Sequence, residues 1–445
     1  MQLPVSLLDS LEGLAGFERA AFLHRHAEQD SMTSLRLNPS KQVSLPNALT
    51  PVPWASAGFY VHPRPSFTMD PLFHAGCYYV QEASSMLLEQ AFLQVKAAAR
   101  PVAALDLCAA PGGKTTHLYS LLPAGSLLVA NEVIRTRVPL LRDNCIKWGS
   151  SSVVVTQNDP AHFQSLQGHF DWITLDAPCS GSGLFRRDPT AIDEWSESNV
   201  THCAQRQQRI LAAAWQALKP GGILFYATCS YSVQENEQNM EWLCQQFNAQ
   251  HLPLTMAPEW GIVTSSLGYR CWPHRMRGEG FYCCCMQKPL LDPGHTSKKS
   301  TKTITLLSAN KQDRLKSWIN LKEQVIVEHA EQLFAWPAPL MDHLELIKQH
   351  LYIQYAGIRI GKWVKDKLIP DHALAMTTQL SKEVPRVALQ KEQAIAFLQR
   401  KEFELTAPSR GWNLVTYEGV GLGWINQLEG RFNNYYPKEL RILKT

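Results

Sequence analysis

Residues 105–118 read LDLCAAPGGKTTHL, a strand end, a loop of small residues and a helix start in fourteen positions. An apolar run, PVAALDLC, ends at Asp106 and Cys108. A loop of small residues follows: Ala109, Ala110, Pro111, Gly112 and Gly113. A helix is predicted to begin near Lys114. Glycines let backbone approach a ligand closely, and a helix N-terminus presents free N–H groups. Lys114 is a cation at the helix start, where the macrodipole disfavours it, which points to a role at the ligand. Glu132 closes the next apolar run, GSLLVANE, 19 positions after Gly113. A carboxylate about 20 residues beyond a glycine loop is where an α/β fold holds a nucleoside ribose. The GGKT string resembles the end of a phosphate-binding P-loop, but that motif needs glycine at 108, where Cys108 stands. The G-x-G-x-x-G fingerprint of dinucleotide enzymes is absent as well.

Three more apolar runs follow: SSVVVTQND to Asp159, FDWITLDAPC through Asp176, and GGILFYATCS through Cys229. Helical segments separate them. Apolar strands alternating with helices predict an α/β domain with a Rossmann-like, mostly parallel, doubly wound sheet. Leu218–Gly222 is predicted to end a helix and turn into the fifth strand, and GEGFYCCCMQK is predicted as a last strand. Upstream, Leu7, Leu8, Leu11, Leu14 and Phe17 lie at helical spacing and belong to a core. Downstream, residues 291–303 are polar and rich in Lys, Ser and Thr, as a linker is. Beyond it a C-terminal α+β region is predicted, with YIQYAGIRIGKWV and WNLVTYEGVGLGWI as strands of a small β-rich module. The division is then 1–70, 71–290, the linker, 304–375 and 376–445.

A chain of 445 residues with 45% hydrophobic content has material for two or three cores, so disorder is not its default state. The net charge of +4 is mild and does not by itself require a nucleic-acid partner. The 11 cysteines include no C-x-x-C pair, which argues against a disulfide framework or zinc ribbon and for a reducing compartment. Cys283, Cys284 and Cys285 are adjacent on a strand and so point to alternate faces, a poor arrangement for one metal ion. No metal is expected. Asp9 and Glu12 interrupt the first apolar segment, and no run is long enough to span a bilayer. A soluble cytoplasmic protein, a monomer by default, is the expectation.

Two cysteines stand just past strand ends: Cys179 after Asp176, and Cys229 after the fifth strand. In an open α/β sheet the ligand lies beyond the carboxyl ends of the strands, at the switch point. With strand order 3-2-1-4-5, both thiols open toward the glycine loop. A single cysteine is usually a small buried hydrophobe, but two thiols and an acid at such positions favour chemistry. Carbon 5 of cytosine is a poor nucleophile until a thiolate adds at carbon 6, and a nearby acid then stabilises the adduct at N3 and N4. Spacing alone does not say which thiol attacks.

These segments resemble the Nop/Sun RNA cytosine-5 methyltransferases. The match rests on SLRLNPSK (34–41), GCYYVQEASSM (76–86), LDLCAAPGGKT (105–115), ANEV…R…LRDN (130–144), LDAPCSGSG (175–183), LKPGGILFYATCSYSVQENE (218–237) and PHRMRGEGFY (273–282), in the family's order. The resemblance implies that Cys108, Ala109, Ala110, Pro111, Gly112, Gly113, Lys114, Glu132, Asp159 and Asp176 contact S-adenosyl-L-methionine. It implies Cys229 as nucleophile, Cys179 as the group assisting release, and Asp176 as also facing the base. It further implies an RNA-binding subdomain in 1–70, a PUA-like module in 376–445, and 16S ribosomal RNA of the 30S subunit as substrate, at cytosine 1407. In that module Arg431, Lys438, Arg441 and Lys444 flank Tyr435 and Tyr436, which suits backbone contacts and base stacking as well as a solvated face with core tyrosines. Arg186 and Arg187 are placed either for RNA phosphate or for pairing with Asp188 or Glu194. Another RNA, duplex DNA, or a non-catalytic assembly role are the competing functions.

Overall fold

The computed structural model describes residues 2–28, 32–41, 43, 49–95, 100–290 and 303–443. The predicted linker, apart from Thr303, and Lys444 lie outside them. A ten-stranded sheet organises the middle of the chain. Its parallel strands are β1 (Ala103–Asp106), β2 (Leu127–Asn131), β3 (Val153–Thr156), β4 (Phe170–Asp176) and β5 (Leu218–Thr228). They lie in the order β3-β2-β1-β4-β5, the predicted arrangement. The antiparallel β6 (Phe281–Gln287) follows β5.

These strands read as continuous apolar runs because both faces are covered. Ala104, Leu128, Val155 and Phe225 face one core; Leu105, Val129, Val154 and Leu224 face the other. The cysteine triplet obeys the same alternation, with Cys283 and Cys285 in the first core and Cys284 in the second. Among the described residues no group of His, Cys, Asp or Glu is placed to hold a metal ion. The helices nearest the site are α1 (Gly113–Leu121), α2 (Val138–Trp148) and α3 (Glu197–Ala217). Helix α3 is capped by Ser196, whose hydroxyl accepts the Asn199 N–H at 3.1 Å.

The junction after α3 differs from the predicted turn. The helix ends at Ala217, and β5 begins at Leu218, already paired with Phe170. The Lys219–Gly222 stretch is a bulge, with Gly221 at φ +74° absorbing the extra length.

The amino-terminal region forms two helices, Val5–Leu11 and Arg19–Ala27, and an antiparallel sheet that includes Thr33–Leu37 and ends with Tyr78–Val80. Leu7, Leu8 and Leu11 are buried as the pattern requires. Buried Arg36 fastens this sheet to the main domain, donating to Gln81 Oε1 (2.9 Å) and to Thr116 Oγ1 of α1 (2.7 Å), and lying over the Trp148 ring of α2.

The YIQYAGIRIGKWV stretch does not belong to one module. Ile353–Ala356, here β7, pairs antiparallel with β3 and extends the main sheet. Ile358–Val364 belongs instead to a separate four-stranded sheet. Gly357 divides them at φ +64°, where a Cβ would meet Ala335 O at 2.3 Å. The last unit is a four-stranded sheet built on the antiparallel pair Gly411–Tyr417 and Val420–Gln427, where the WNLVTYEGVGLGWI stretch was expected to form strands. Among the described residues no helix is long and apolar enough to cross a membrane.

Candidate active site

Strand β1 delivers Asp106 to the carboxyl edge of the sheet, and the chain turns into α1 through the small-residue loop. Gly112 caps α1 at φ +108°, a conformation strained for any L side chain. The loop is held from outside: Asn131 O accepts the Ala109 N–H (2.8 Å), while Arg137 and Asn144 side chains donate to Ala110 O (2.6 Å) and Pro111 O (2.8 Å). A cavity of about 380 Å³ opens over it. Cys108, Ala109, Ala110, Pro111, Gly113 and Lys114 line this cavity, and so do Asp176 and Cys229. Two larger hollows, of about 670 and 1050 Å³, lie in the carboxy-terminal third, away from both thiols.

Glu132 stands at the end of β2 with its carboxylate buried behind the loop. One oxygen accepts the Ile134 N–H at 2.8 Å, and the other lies 3.6 Å from Arg137, which does line the cavity. Asp159 is not among the residues lining the cavity and caps the short helix Pro160–Leu166 through the Ala161 N–H at 2.9 Å.

Asp176 ends β4, paired in register with Ala227 of β5. Cys179 is three residues beyond Asp176 and Cys229 two beyond Ala227, so adjacent strands bring the thiols together. Their sulfurs are 3.0 Å apart, and both are free cysteines. The hydrogen bond to Cys229, reinforced by burial, pushes the Cys179 thiol well above its usual range. Lys114 Nζ donates to Asp176 Oδ2 at 2.7 Å and sits 5.2 Å over the Phe281 ring. Burial works hardest against its charge, but Asp176, joined by Asp106 and Cys229, outweighs burial, so the ammonium is held more firmly than usual.

Sequence reasoning passed over several cavity residues. Asp106 was visible only as a strand end. Its Oδ2 accepts from Thr115 Oγ1 at 2.6 Å, while its buried Oδ1 has no hydrogen-bond partner. Burial pushes this carboxyl up to about 7, against the Thr115 bond. Tyr79, Gln81, Arg137 and Glu279 also line the cavity, and no spacing rule connects them to the glycine loop. Arg186 pairs with Glu279 (3.3 Å) in the interior, and Arg187 lines the cavity. In the last unit Tyr436 is buried, whereas Tyr435, Arg431, Lys438 and Arg441 are exposed.

Residues 93–287 match the family model for 16S rRNA methyltransferase RsmB/F, residues 3–83 the RsmF N-terminal domain, and residues 384–442 the methyltransferase RsmF PUA domain. Ribosomal RNA small subunit methyltransferase F of Pectobacterium atrosepticum is 30% identical over 417 residues, spanning 88% of this chain and 84% of that protein. The chain belongs to the ribosomal RNA small subunit methyltransferase F family. The Shewanella loihica member is 29% identical over 436 residues, covering 92% of this chain and 88% of its own length. Among solved structures, a methyltransferase homolog protein from Pyrococcus horikoshii superposes with a TM-score of 0.52 at 28% identity, over 64% of this chain and 100% of that one. NSun6 from the same organism, crystallised with SFG, shares the fold at 19% identity, with a TM-score of 0.56 over 65% of this chain and 99% of that one. The chain has the Rossmann-like fold of an S-adenosyl-L-methionine-dependent methyltransferase and a PUA domain over residues 384–442. The cavity fits that cofactor. It has a glycine-turned loop at a helix start and an unpaired buried acceptor, Asp106 Oδ1, suited to a ligand's donor.

Proposed function

We propose that this protein methylates carbon 5 of a cytosine in 16S ribosomal RNA, cytosine 1407 of the 30S subunit, through a covalent Cys229–C6 adduct. The observation that carries this reading is the thiol pair. Two sulfurs 3.0 Å apart stand past adjacent strands, and Cys229 shares its cavity with the glycine loop and the Lys114–Asp176 pair. Cys108 to Pro111, Gly113, Lys114 and Asp176, which line the cavity, would hold S-adenosyl-L-methionine, with Asp106 Oδ1 as a further acceptor. Gly112, Glu132 and Asp159, outside that lining, would complete the set through the loop's turn and the ends of the neighbouring strands. The bound cofactor supplies an electrophilic methyl group.

In this reading Cys229 attacks as a thiolate and its sulfur bonds to C6. The C5–C6 double bond opens, and C5 gains the nucleophilic character that accepts the methyl group. Asp176 holds the N3–N4 edge of the base, and Lys114 keeps Asp176 oriented. The C5 proton then leaves to solvent, its bonding electrons restore the C5–C6 double bond, and the C6–S bond breaks. The departing Cys229 thiolate is received by a hydrogen bond from the neutral Cys179 thiol, which assists release. Residues 71–290 are the catalytic unit of a cytoplasmic monomer; 1–70, continued by the strand to Val80, and 376–445 bind RNA, and 304–375 connect them.

The test is a gel assay for protein–RNA adduct, with 30S subunits lacking the modification. Wild type methylates, Cys179→Ala accumulates adduct, and Cys229→Ala forms none. The reverse pattern assigns the opposite roles and overturns the mechanism. Methyl groups mapped elsewhere than cytosine 1407, or a preference for duplex DNA in competition, overturn the substrate.

A further inference from the structure

One buried carboxylate ties the two thiol loops together, and the chemistry above does not use it. Glu235 is fully buried. Its Oε1 accepts the Ser180 N–H at 2.8 Å and Gln207 Nε2 at 3.1 Å. Its Oε2 accepts the hydroxyls of Ser180 at 2.6 Å and of Ser230 at 2.5 Å. Ser180 follows Cys179, and Ser230 follows Cys229. Gln207 also donates to Pro178 O at 3.0 Å, so the residue before Cys179 is held from the same centre. Four donors converge on one acceptor, as an ionised carboxylate requires. Burying that charge is costly unless it is saturated in this way, and an apolar group would close the same gap without the cost.

We propose that Glu235 is a positioning residue that fixes the Cys179–Cys229 pair, setting the two thiols in register for attack and release. Its negative charge also favours a protonated Cys179, adding to the stronger effects of the Cys229 hydrogen bond and of burial. The kinetic consequence rests on the thiol roles proposed above, whereas the geometric consequence does not.

The experiment uses full-length protein in two arms. The first treats it with an azodicarboxamide oxidant. The two thiols lose two protons and two electrons to the N=N bond, giving a Cys179–Cys229 disulfide and a hydrazine, and peptide mapping times the disulfide. Wild type closes it readily, and Glu235→Gln, which exchanges an acceptor oxygen for a donor, slows closure by about tenfold or more, equivalent to about 1.4 kcal/mol. The second arm measures adduct and methylated product on 30S subunits. Glu235→Gln traps adduct at the expense of product, with the KM for 30S unchanged. A purely structural role lowers adduct and product in proportion.

Should Glu235→Gln fail to fold, the Ser180→Ala/Ser230→Ala double variant removes both hydroxyl ties and keeps the carboxylate, and the same slowing is expected. Wild-type closure rates in the variants, no disulfide in wild type, or a proportional fall of adduct and product each overturn the proposal. A wild type that closes the disulfide faster than its variants but never methylates RNA upholds the positioning role and overturns the function.

Discussion

Asp106 shows how much a single burial decides. Its carboxyl titrates near 7 in the folded chain, against 3.8 ordinarily, because burial disfavours the charge more than Thr115 supports it. Across that interval the folded state binds more protons at this group than the unfolded one, so the group's contribution to stability is full below about pH 4 and is lost as pH rises through 7. Glu279, raised by burial to about 7 against the attraction of Arg186, acts in the same direction. Asp106→Asn keeps an acceptor for Thr115 and removes one of these titrations. The thermal midpoint of the ligand-free variant therefore declines less between pH 5 and 7 than that of wild type; equal declines refute the assignment. Lys114→Met strips Asp176 of its cation and is expected to lower kcat on 30S subunits by about a hundredfold, the scale of losing one preorganised electrostatic partner. Single-turnover methylation measures it, and an unchanged rate shows that Asp176 needs no partner. At this scale the sequence was readable wherever a residue's meaning is local. Asp176, Cys179, Cys229 and Lys114 each stand at a strand end or helix start. The partners that complete the site were not readable: Ser180 meets Glu235 across 55 positions and Arg186 meets Glu279 across 93, pairings that only the folded sheet creates.

Elements constrain the thiols through backbone as well as side chains. Gly183 lies in the short 3-10 turn Ser182–Leu184, where its N–H donates to Cys229 O at 2.8 Å and its O accepts the Gly280 N–H at 3.2 Å. A Cβ there would sit 2.4 Å from Gly280 O and 2.8 Å from Cys229 O, both backbone atoms that cannot swing aside. Gly183→Ala is expected to cost about 1–3 kcal/mol of stability, the usual penalty of overpacking, and to push the end of β5 away from Cys179. Calorimetry and adduct formation should fall together; a variant with normal stability and normal adduct would show the junction to be soft. Gly112→Ala places a side chain at φ +108° in the α1 cap, and its expected loss is in affinity for S-adenosyl-L-methionine, read by calorimetric titration. The five parallel strands were legible because strands buried on both faces cannot alternate with polar residues. The fate of YIQYAGIRIG was not, since β-type alternation reads the same whichever sheet receives it. The bulge at Lys219–Gly222 was equally hidden, because Pro-Gly-Gly signals a turn and a bulge alike.

The molecule as a whole closes its main sheet with a strand borrowed from beyond the catalytic unit. β3 is the last parallel strand, and Val153, Val154 and Val155 are buried. β7 covers its open edge, with Tyr355 opposite Val155 and Ala356 opposite Val154. The cover continues at both ends, where Gly357 N–H donates to Val153 O at 3.0 Å and Gln157 N–H to Tyr352 O at 3.1 Å. Asn158 is drawn into the same join, its Oδ1 accepting the Tyr352 N–H at 3.1 Å. An edge strand without such a cover offers unpaired backbone groups to other chains. Removal of residues 291–445 would uncover β3 and leave the apolar residues beneath the carboxy-terminal region in water. The 1–290 fragment is therefore expected to self-associate on size-exclusion chromatography, and its Val153–Thr156 amides are expected to exchange far faster than in the full chain. A fragment that stays monomeric with those amides protected would mean that the catalytic unit closes its own edge. The carboxy-terminal region would then serve RNA alone, with no part in holding the sheet that carries Cys179 and Cys229.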